Sequence, residues 1–534
     1  MPLIMTCDTF QTFDHEIHLE NNEQSLESMM NTLLIQPKFP LTFWSFKYAL
    51  QFVSKEVCNP PLGLITVAAM LPEDWNCKLI DLNIHVLTDE DLNWADIVLI
   101  SAMNVQRDSA HEVIHRAKQA GKTIVAGGPM FTGEYQDFPE VDHFVLNEAE
   151  ITLPHFLEDF AAGKAERVYA TDDFADLTLT PSPRWDLLDL YKYDSMNVQF
   201  SRGCPFNCDF CNVTALLGHR PRTKSVQQLI TEIDALYTLG WRRNIFLVDD
   251  NFIGNKKILK EEILPALIEW RKGKKGCLFL TEVSINLADD DELVELMVKA
   301  GFISVFIGIE TPDDASLAAC NKKQNQKRDL MAAVRKLQEA GLQVMAGFIV
   351  GFDSDTETIF DRQIDFIQES GIVTAMVGLL QAPYGTALYD RMKDENRLLT
   401  EMSGNNADGE TNIIPLMPKE LLANGYRKII ATIYSPRQFY ARVQTFLEHY
   451  HPVTHAVTIE PNEIIALFRT IWHMGIIGSE RKYYWKLFFW TLFHRPDLFP
   501  IAITLTVYGY HFGKVRDDIL FHQKPETVSV SLPA

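Results

Sequence analysis

Between Asn31 and Glu150, short apolar runs alternate with segments whose apolar residues recur every three or four positions. That alternation predicts strands and amphipathic helices in a parallel α/β sheet. The predicted strands are Thr32–Gln36, Lys78–Leu82, Asp96–Ala102, Thr123–Ala126 and His143–Leu146, with helices at Leu62–Leu71 and Ser109–Ala120. Gly121 stands where the second helix needs a C-cap. A second series starts at Asn197–Phe200 and continues through Asn244–Val248, Leu278–Val283, Val305–Ile309, Gln343–Val350 and Ala375–Leu380. Helical periodicity fills the gaps at Ser225–Leu239, Leu259–Lys272, Asp290–Ala300, Lys327–Ala340 and Asp355–Ser370. A strand-plus-helix unit repeated every roughly 30–40 residues predicts a parallel barrel or part of one. Beyond Thr400 the pattern becomes helical, at Lys419–Thr432, Pro436–His449, Asn462–Met474, Arg481–Phe493 and Leu498–Gly509.

The layout gives a polar tail (residues 1–30), a Rossmann-like domain (31–150), a connector (151–196), the barrel (197–400) and a mainly helical C-terminal domain (401–534). The connector ends in the proline-punctuated run Thr180-Pro181-Ser182-Pro183. A chain of 534 residues exceeds what one core holds. Its formal charge of -22, with no basic block, argues against a nucleic-acid partner. Cys7, Cys58, Cys77, Cys277 and Cys320 are scattered singly, so no disulfide framework is expected. The start is acidic and carries no secretory pattern, which with the free thiols points to a reducing cytoplasm. Aromatic residues crowd the C-terminal third, and Leu498 to Gly513 is uncharged. That run is shorter than the about 20 residues of a membrane span. It suits either a helical core, a greasy pocket or peripheral contact with a bilayer.

The chemistry concentrates at Ser201–Cys211, where Cys204, Cys208 and Cys211 stand in a Cys-x3-Cys-x2-Cys spacing after an extended run. Thiolates this close can hold a soft metal centre from one loop. A closed zinc site wants four ligands, and the next histidine downstream is His219. Three thiolates on a four-iron cluster leave one iron open to a substrate or cofactor. The ends of the later strands are polar directly after apolar runs: Asp249-Asp250-Asn251, Ser284-Ile285-Asn286 and Glu310-Thr311. Such positions face the mouth of a barrel. In the first domain, Ser101 ends one strand and Gly127-Gly128-Pro129 follows another, where ligands of such sheets sit. No Gly-x-Gly-x-x-Gly occurs, which argues against a nicotinamide cofactor. Arg220, Arg222 and Lys224 form a short basic run after the cysteine loop.

The cysteine loop, with Phe210 before its last cysteine, resembles the radical S-adenosylmethionine (SAM) superfamily motif. The first domain resembles the cobalamin-binding domain that precedes it in many such enzymes. The matching pieces are Pro60-Pro61-Leu62-Gly63-Leu64, Asp81, Ser101-Ala102-Met103, Gly127-Gly128-Pro129 and Asn147-Glu148-Ala149-Glu150. Many cobalamin domains carry Asp-x-His-x-x-Gly after the first strand; here no Asp-x-His occurs, so the cobalt would lack that histidine. The order of domains is similar to the hopanoid methylase branch over roughly residues 31–515. The resemblance implies a [4Fe-4S] cluster on Cys204, Cys208 and Cys211, SAM and cobalamin. It places SAM beside Phe210, Asp249, Asp250, Asn251, Ser284, Asn286 and Glu310, and cobalamin beside Ser101, Gly127, Gly128 and Glu148. It further implies methylation of an unactivated carbon of an apolar, hopanoid- or isoprenoid-like metabolite or lipid, with an electron donor such as flavodoxin or ferredoxin. Two other readings stay open: radical cyclisation or rearrangement on the same two domains, and a non-catalytic iron–sulfur or cobalamin-binding protein. A pure electron carrier would use four cysteines. No residue is singled out as the catalytic acid or base.

Overall fold

The protein is seen in a computed structural model that describes residues 29–453 and 461–521. The polar tail read over residues 1–30, with Cys7, lies outside them except for its last two residues.

The first domain is a six-stranded, all-parallel sheet: β1 (Asn31–Gln36), β2 (Asn76–Asp81), β3 (Ile97–Ser101), β4 (Thr123–Gly127), β5 (His143–Val145) and β6 (Val168–Tyr169). The spatial order is β2-β1-β3-β4-β5-β6. Leu33, Leu34 and Ile35 of the central strand β1 are fully buried because helices cover both faces of the sheet. The chain leaves β1 toward β2 on one side and β3 on the other, so the ends of β1 and β3 form a topological switch point. Helix Ala149–Ala161 and β6 extend this domain past residue 150, into the stretch assigned to the connector. Two short helices, Asp89–Trp94 and Pro129–Glu134, were not read from the sequence.

The second sheet contains β7 (Met196–Val198), β10 (Ile245–Leu247), β11 (Phe279–Val283), β12 (Phe302–Glu310), β13 (Gln343–Val350) and β14 (Ala375–Leu379). Its order is β14-β13-β12-β11-β10-β7, all parallel, with β7 and β14 as unpaired edges. This is the expected open, six-stranded arrangement. Between β7 and β10, β8 (Ser201–Arg202) and β9 (Arg222–Thr223) form a short antiparallel pair at the two ends of the cysteine loop. Along β10 to β12 burial alternates: Ile245, Leu247, Thr281, Val305 and Ile307 are fully buried under the helices. Phe246, Glu282, Phe306 and Gly308 stand on the other face, toward the lumen.

The C-terminal helices are Lys419–Ile433, Pro436–His449, Pro461–Thr470, Arg481–His494 and Phe499–Phe521. The uncharged run from Leu498 to Gly513 falls, from Phe499 on, in the last of these, and much of it is buried. Ala502, Leu505, Thr506, Val507, His511 and Phe512 are buried in the same hydrophobic core as the barrel. That core also receives the loop after β1. Phe43 packs on Tyr434 and Phe512, and Phe46 stacks on His511 with centroids 5.3 Å apart.

Candidate active site

The cysteine loop is short and steeply turned, and its cysteines fall at one end of the barrel. Cys208 is buried, and Cys204 and Cys211 are half-buried. Two amides point at sulfur: Asn251 Nδ2 lies 3.8 Å from Cys204 Sγ, and Gln324 Nε2 lies 3.5 Å from Cys208 Sγ. Burial pushes the Cys204 and Cys211 thiols up, Cys211 to about 12, while the Lys322 ammonium pulls both down. Burial alone would push Lys322 down as well; the Glu310 carboxylate and the thiols of Cys208 and Cys211 hold it raised and charged. Among the described residues no three His, Cys, Asp or Glu side chains close around a single-ion site. Three soft thiols on one loop, met by two amide donors and a buried cation, instead fit a thiolate-bound cluster, whose negative charge those groups offset.

Glu310 and Lys322 form a built pair. The Lys322 Nζ to Glu310 Oε1 distance is 2.6 Å, and both side chains are about nine-tenths buried. Glu310 ends β12 in the left-handed region (φ 65°), beside a register shift between β12 and β13. A non-glycine residue there is costly and turns the carboxylate back over the strand. A Cβ at Gly308 would collide with Glu310 Oε1 and Lys322 Nζ, so the glycine makes room for the ion pair. Phe210 completes the group: the Lys322 ammonium lies 5.8 Å from its ring, which packs edge-on against Phe352. Lys322 and Gln324 were missed in the sequence because they follow a short helix with no strand-end signal.

The structure separates the residues read after the second barrel strand. Asp249 is fully buried, faces away from the lumen, and accepts from the backbone N–H groups of Phe200 and Ser201. Its carboxylate therefore pins the strand that leads into the cysteine loop and is not presented to the mouth. Asp250 faces the lumen, and Asn251 joins a chain of hydrogen bonds. Asn251 Oδ1 accepts from the Ser284 backbone N–H at 3.2 Å, and the Ser284 hydroxyl donates to Asn286 Oδ1 at 2.6 Å. This chain couples Cys204 to the strand ends of β10 and β11.

On the lumenal face, Glu282 of β11 is a carboxyl that sequence reasoning missed. Burial pushes it up to about 8, and nearby Asp250 and Asp249 add to the shift. Asp250 rises to about 6 for the same first reason, with Arg202 opposing. The lumen is thus divided. Asn197, Asp250 and Glu282 stand on β7, the end of β10, and β11; Phe306, Met345, Gly347 and Met376 stand on β12 to β14. Trp44, carried on the loop after β1, closes the apolar half. Its ring meets Phe306 edge-on at 5.2 Å, and its N–H lies 2.8 Å from Met376 Sδ.

The first domain faces the barrel with its strand ends. A Cβ at Gly404 would stand 3.2 Å from Val105 N and 3.4 Å from Asn104 Cβ after β3, and one at Gly133 after β4 would stand 3.5 Å from the ring of Tyr384 after β14. Met103 and Tyr384 are still 51% and 56% exposed, so the described residues do not fill the space between these ends. Ser101 and this uncovered apolar surface fit a large ring system with polar edges. The two glycines act differently from expectation, however. A Cβ at Gly127 would stand 2.6 Å from the Val145 carbonyl oxygen, and one at Gly128 2.5 Å from Ser101 Oγ. Gly128 also needs φ 93°. Their missing side chains serve packing inside the domain and do not themselves clear space for a ligand.

Glu148 has another use too. It is 4% exposed and takes a two-pronged ion pair from Arg222 at 2.6 and 2.8 Å, plus the Ala175 N–H. Glu150 pairs in the same way with Arg202 at 2.8 and 3.0 Å. These two pairs clamp the first domain to the cysteine loop. Arg222 and Lys224 are thereby absorbed, Lys224 by a buried pair with Glu232.

A cobalamin-type α/β domain clamped over an open parallel barrel with three thiols at its mouth defines the class of two-domain radical SAM proteins. Family models agree along the chain: "B12 binding domain" over residues 53–157, "Radical SAM superfamily" over 198–367, and a domain of unknown function, DUF4070, over 386–524. "Uncharacterized methyltransferase sll1242" of Synechocystis sp. is 44% identical over 91% of this chain and 92% of its own. "Hopanoid C-2 methylase" of Rhodopseudomonas palustris is 31% identical over 95% and 98%. The fold matches the cobalamin-dependent SAM radical enzyme OxsB with a TM-score of 0.58 at 14% identity, covering 92% of this chain and 80% of that one. The chain belongs to the cobalamin-dependent radical SAM methyltransferase family. Its cofactors are the [4Fe-4S] cluster, SAM and cobalamin, and enzymes of this family need a reductant and a substrate.

Proposed function

We propose that this protein methylates an unactivated carbon of an apolar, polycyclic or isoprenoid substrate of the hopanoid kind, taken from a membrane surface, with electrons from flavodoxin or ferredoxin. The observation that carries the substrate class is the divided lumen. Trp44, Phe306, Met345 and Met376 offer an apolar half of the lumen on β12 to β14, and each buried methylene contributes about 0.8 kcal/mol of binding. Similarity to the hopanoid C-2 methylase over nearly its whole length supports the same class.

When bound, the cluster with SAM supplies a radical that removes a hydrogen atom, and cobalamin supplies the methyl group. The protein's own part is positional. Cys204, Cys208 and Cys211 would hold the cluster, with Lys322, Asn251 and Gln324 offsetting its charge. Glu310, Ser284 and Asn286 offer acceptors and hydroxyl groups at the strand ends for SAM. Asp250 lies on the same rim as an acceptor for its ammonium. The apolar half orients the substrate carbon and keeps water away. The ion pairs Arg222–Glu148 and Arg202–Glu150 hold the two domains at a constant separation, so a methyl donor in one meets a carbon in the other.

The test is to express the chain in a hopanoid-producing host that lacks it and to extract the lipids. Triterpenoids one methyl group heavier are expected, and they should be absent when Cys208 is replaced by Ala. Unchanged lipids alongside a methylated peptide or sugar would sink the substrate class.

A further inference from the structure

Away from the barrel, the C-terminal helices carry an apolar surface that no described residue covers. Helix Pro461–Thr470 and the turn that continues it to Ile476 bury Ala466, Thr470 and Met474 on one side. The opposite side carries Ile464, Phe468, Trp472 and Ile476, four apolar residues at i, i+4 spacing, with Phe468 66% and Trp472 56% exposed. A surface helix ordinarily turns polar residues to solvent; this one is apolar on both faces. The neighbouring helix Arg481–His494 extends the patch. Trp485 donates its N–H to the Gly475 carbonyl at 2.8 Å and stacks on Phe489, which stacks on Phe493, itself 76% exposed.

Charge completes the picture. In a chain of net charge -22, residues 481–496 contain no Asp or Glu. Arg481, Lys482 and Lys486 are exposed at the start of the second helix and make no ion pair among the described residues. We propose that this face of residues 464–493 docks the protein on an anionic lipid bilayer, with Phe468, Trp472 and Phe493 entering the acyl boundary and the basic residues meeting headgroups. Apolar and aromatic side chains flanked by cations are what an interfacial helix presents to such a surface. A second copy of this chain is a poorer occupant, because a two-fold contact would bring together two faces that both carry Arg481, Lys482 and Lys486, with no Asp or Glu between residues 481 and 496 to pair with them. A protein partner would want hydrogen-bonding groups, and the exposed side of the 464–476 stretch offers almost none. The inference deepens the reading of a lipid substrate but stands on the surface alone.

Flotation of the purified full chain with vesicles tests it, without SAM or substrate, so its failure and that of the methyl-transfer reading are distinguishable. The chain should float with phosphatidylcholine–phosphatidylglycerol vesicles, less with phosphatidylcholine alone, and less as salt rises. Phe468→Ser with Trp472→Ser and Phe493→Ser should lower the floated fraction at least about tenfold. Lys482→Glu with Lys486→Glu should remove the preference for anionic vesicles. Unchanged melting temperatures would show that both variants are folded. Failure of the parent chain to float, equal flotation of the triple variant, or a patch-dependent dimer by light scattering would each overturn the proposal.

Discussion

At the residue scale the site depends on single charges placed where burial makes them strong. Lys322 is the clearest case, a buried cation shared between the Glu310 carboxylate and the thiols of the loop. Lys322→Met should keep the fold, because Met fills similar space, but leave Glu310 unpaired and the cluster's charge unopposed. The reconstituted protein should make 5′-deoxyadenosine on the order of tenfold more slowly, with the cluster's midpoint potential moved to more negative values in an EPR titration. An unmoved potential would make Lys322 merely structural. Glu282 gives a pH signature. Its folded-state pKa of about 8 exceeds the ordinary glutamate value of about 4.3, so the folded protein holds this proton more tightly than the unfolded chain. Its favourable contribution is complete below about pH 4 and is lost as pH rises toward 8. Thermal melts without SAM should therefore show a stability advantage of Glu282→Gln over the parent that grows from pH 5 to pH 8. A constant difference would mean that Glu282 is ionised throughout.

At the element scale, the apolar runs announced the strands well, since a parallel strand buried by helices must be apolar. β6 escaped because two residues carry no period, and Asp89–Trp94 escaped because Asp-Glu-Asp-Leu-Asn-Trp reads as a polar turn. Its cap was nonetheless present in Thr88 and Asp91. Glu282 was hidden by the strand's own alternation: in Phe-Leu-Thr-Glu-Val a polar position reads as facing solvent, and only closure of the sheet turns it into the lumen. Trp44 sits in an aperiodic loop, so nothing local tells that its ring reaches β12 and β14. The loop cysteines were legible because their chemistry is set by spacing, which needs no tertiary information. The ion pairs between domains were not, since their partners lie 74 and 52 residues apart. Arg222→Met leaves the buried Glu148 carboxylate only the Ala175 N–H and the more distant Arg202 at 3.7 Å, and should cost about 3 kcal/mol in denaturant unfolding, most of it recovered when Glu148→Met is added. No recovery in the double variant would show that the pair does not act as a clamp.

For the whole molecule, three folding units share one purpose, to bring a methyl donor, a radical source and a substrate carbon together. The first domain meets the barrel through strand ends and two ion pairs, and the loop after β1 runs through the contact into the C-terminal core. No helix among the described residues is long and apolar enough to cross a membrane. The most direct test of this arrangement is the ratio of SAM products in the reduced, cobalamin-loaded protein given a hopanoid. Coupled use of both domains predicts 5′-deoxyadenosine and S-adenosylhomocysteine in equal amounts, with the methyl group of labelled SAM in the lipid. Deoxyadenosine without S-adenosylhomocysteine would contradict it and assign the barrel to cyclisation or rearrangement.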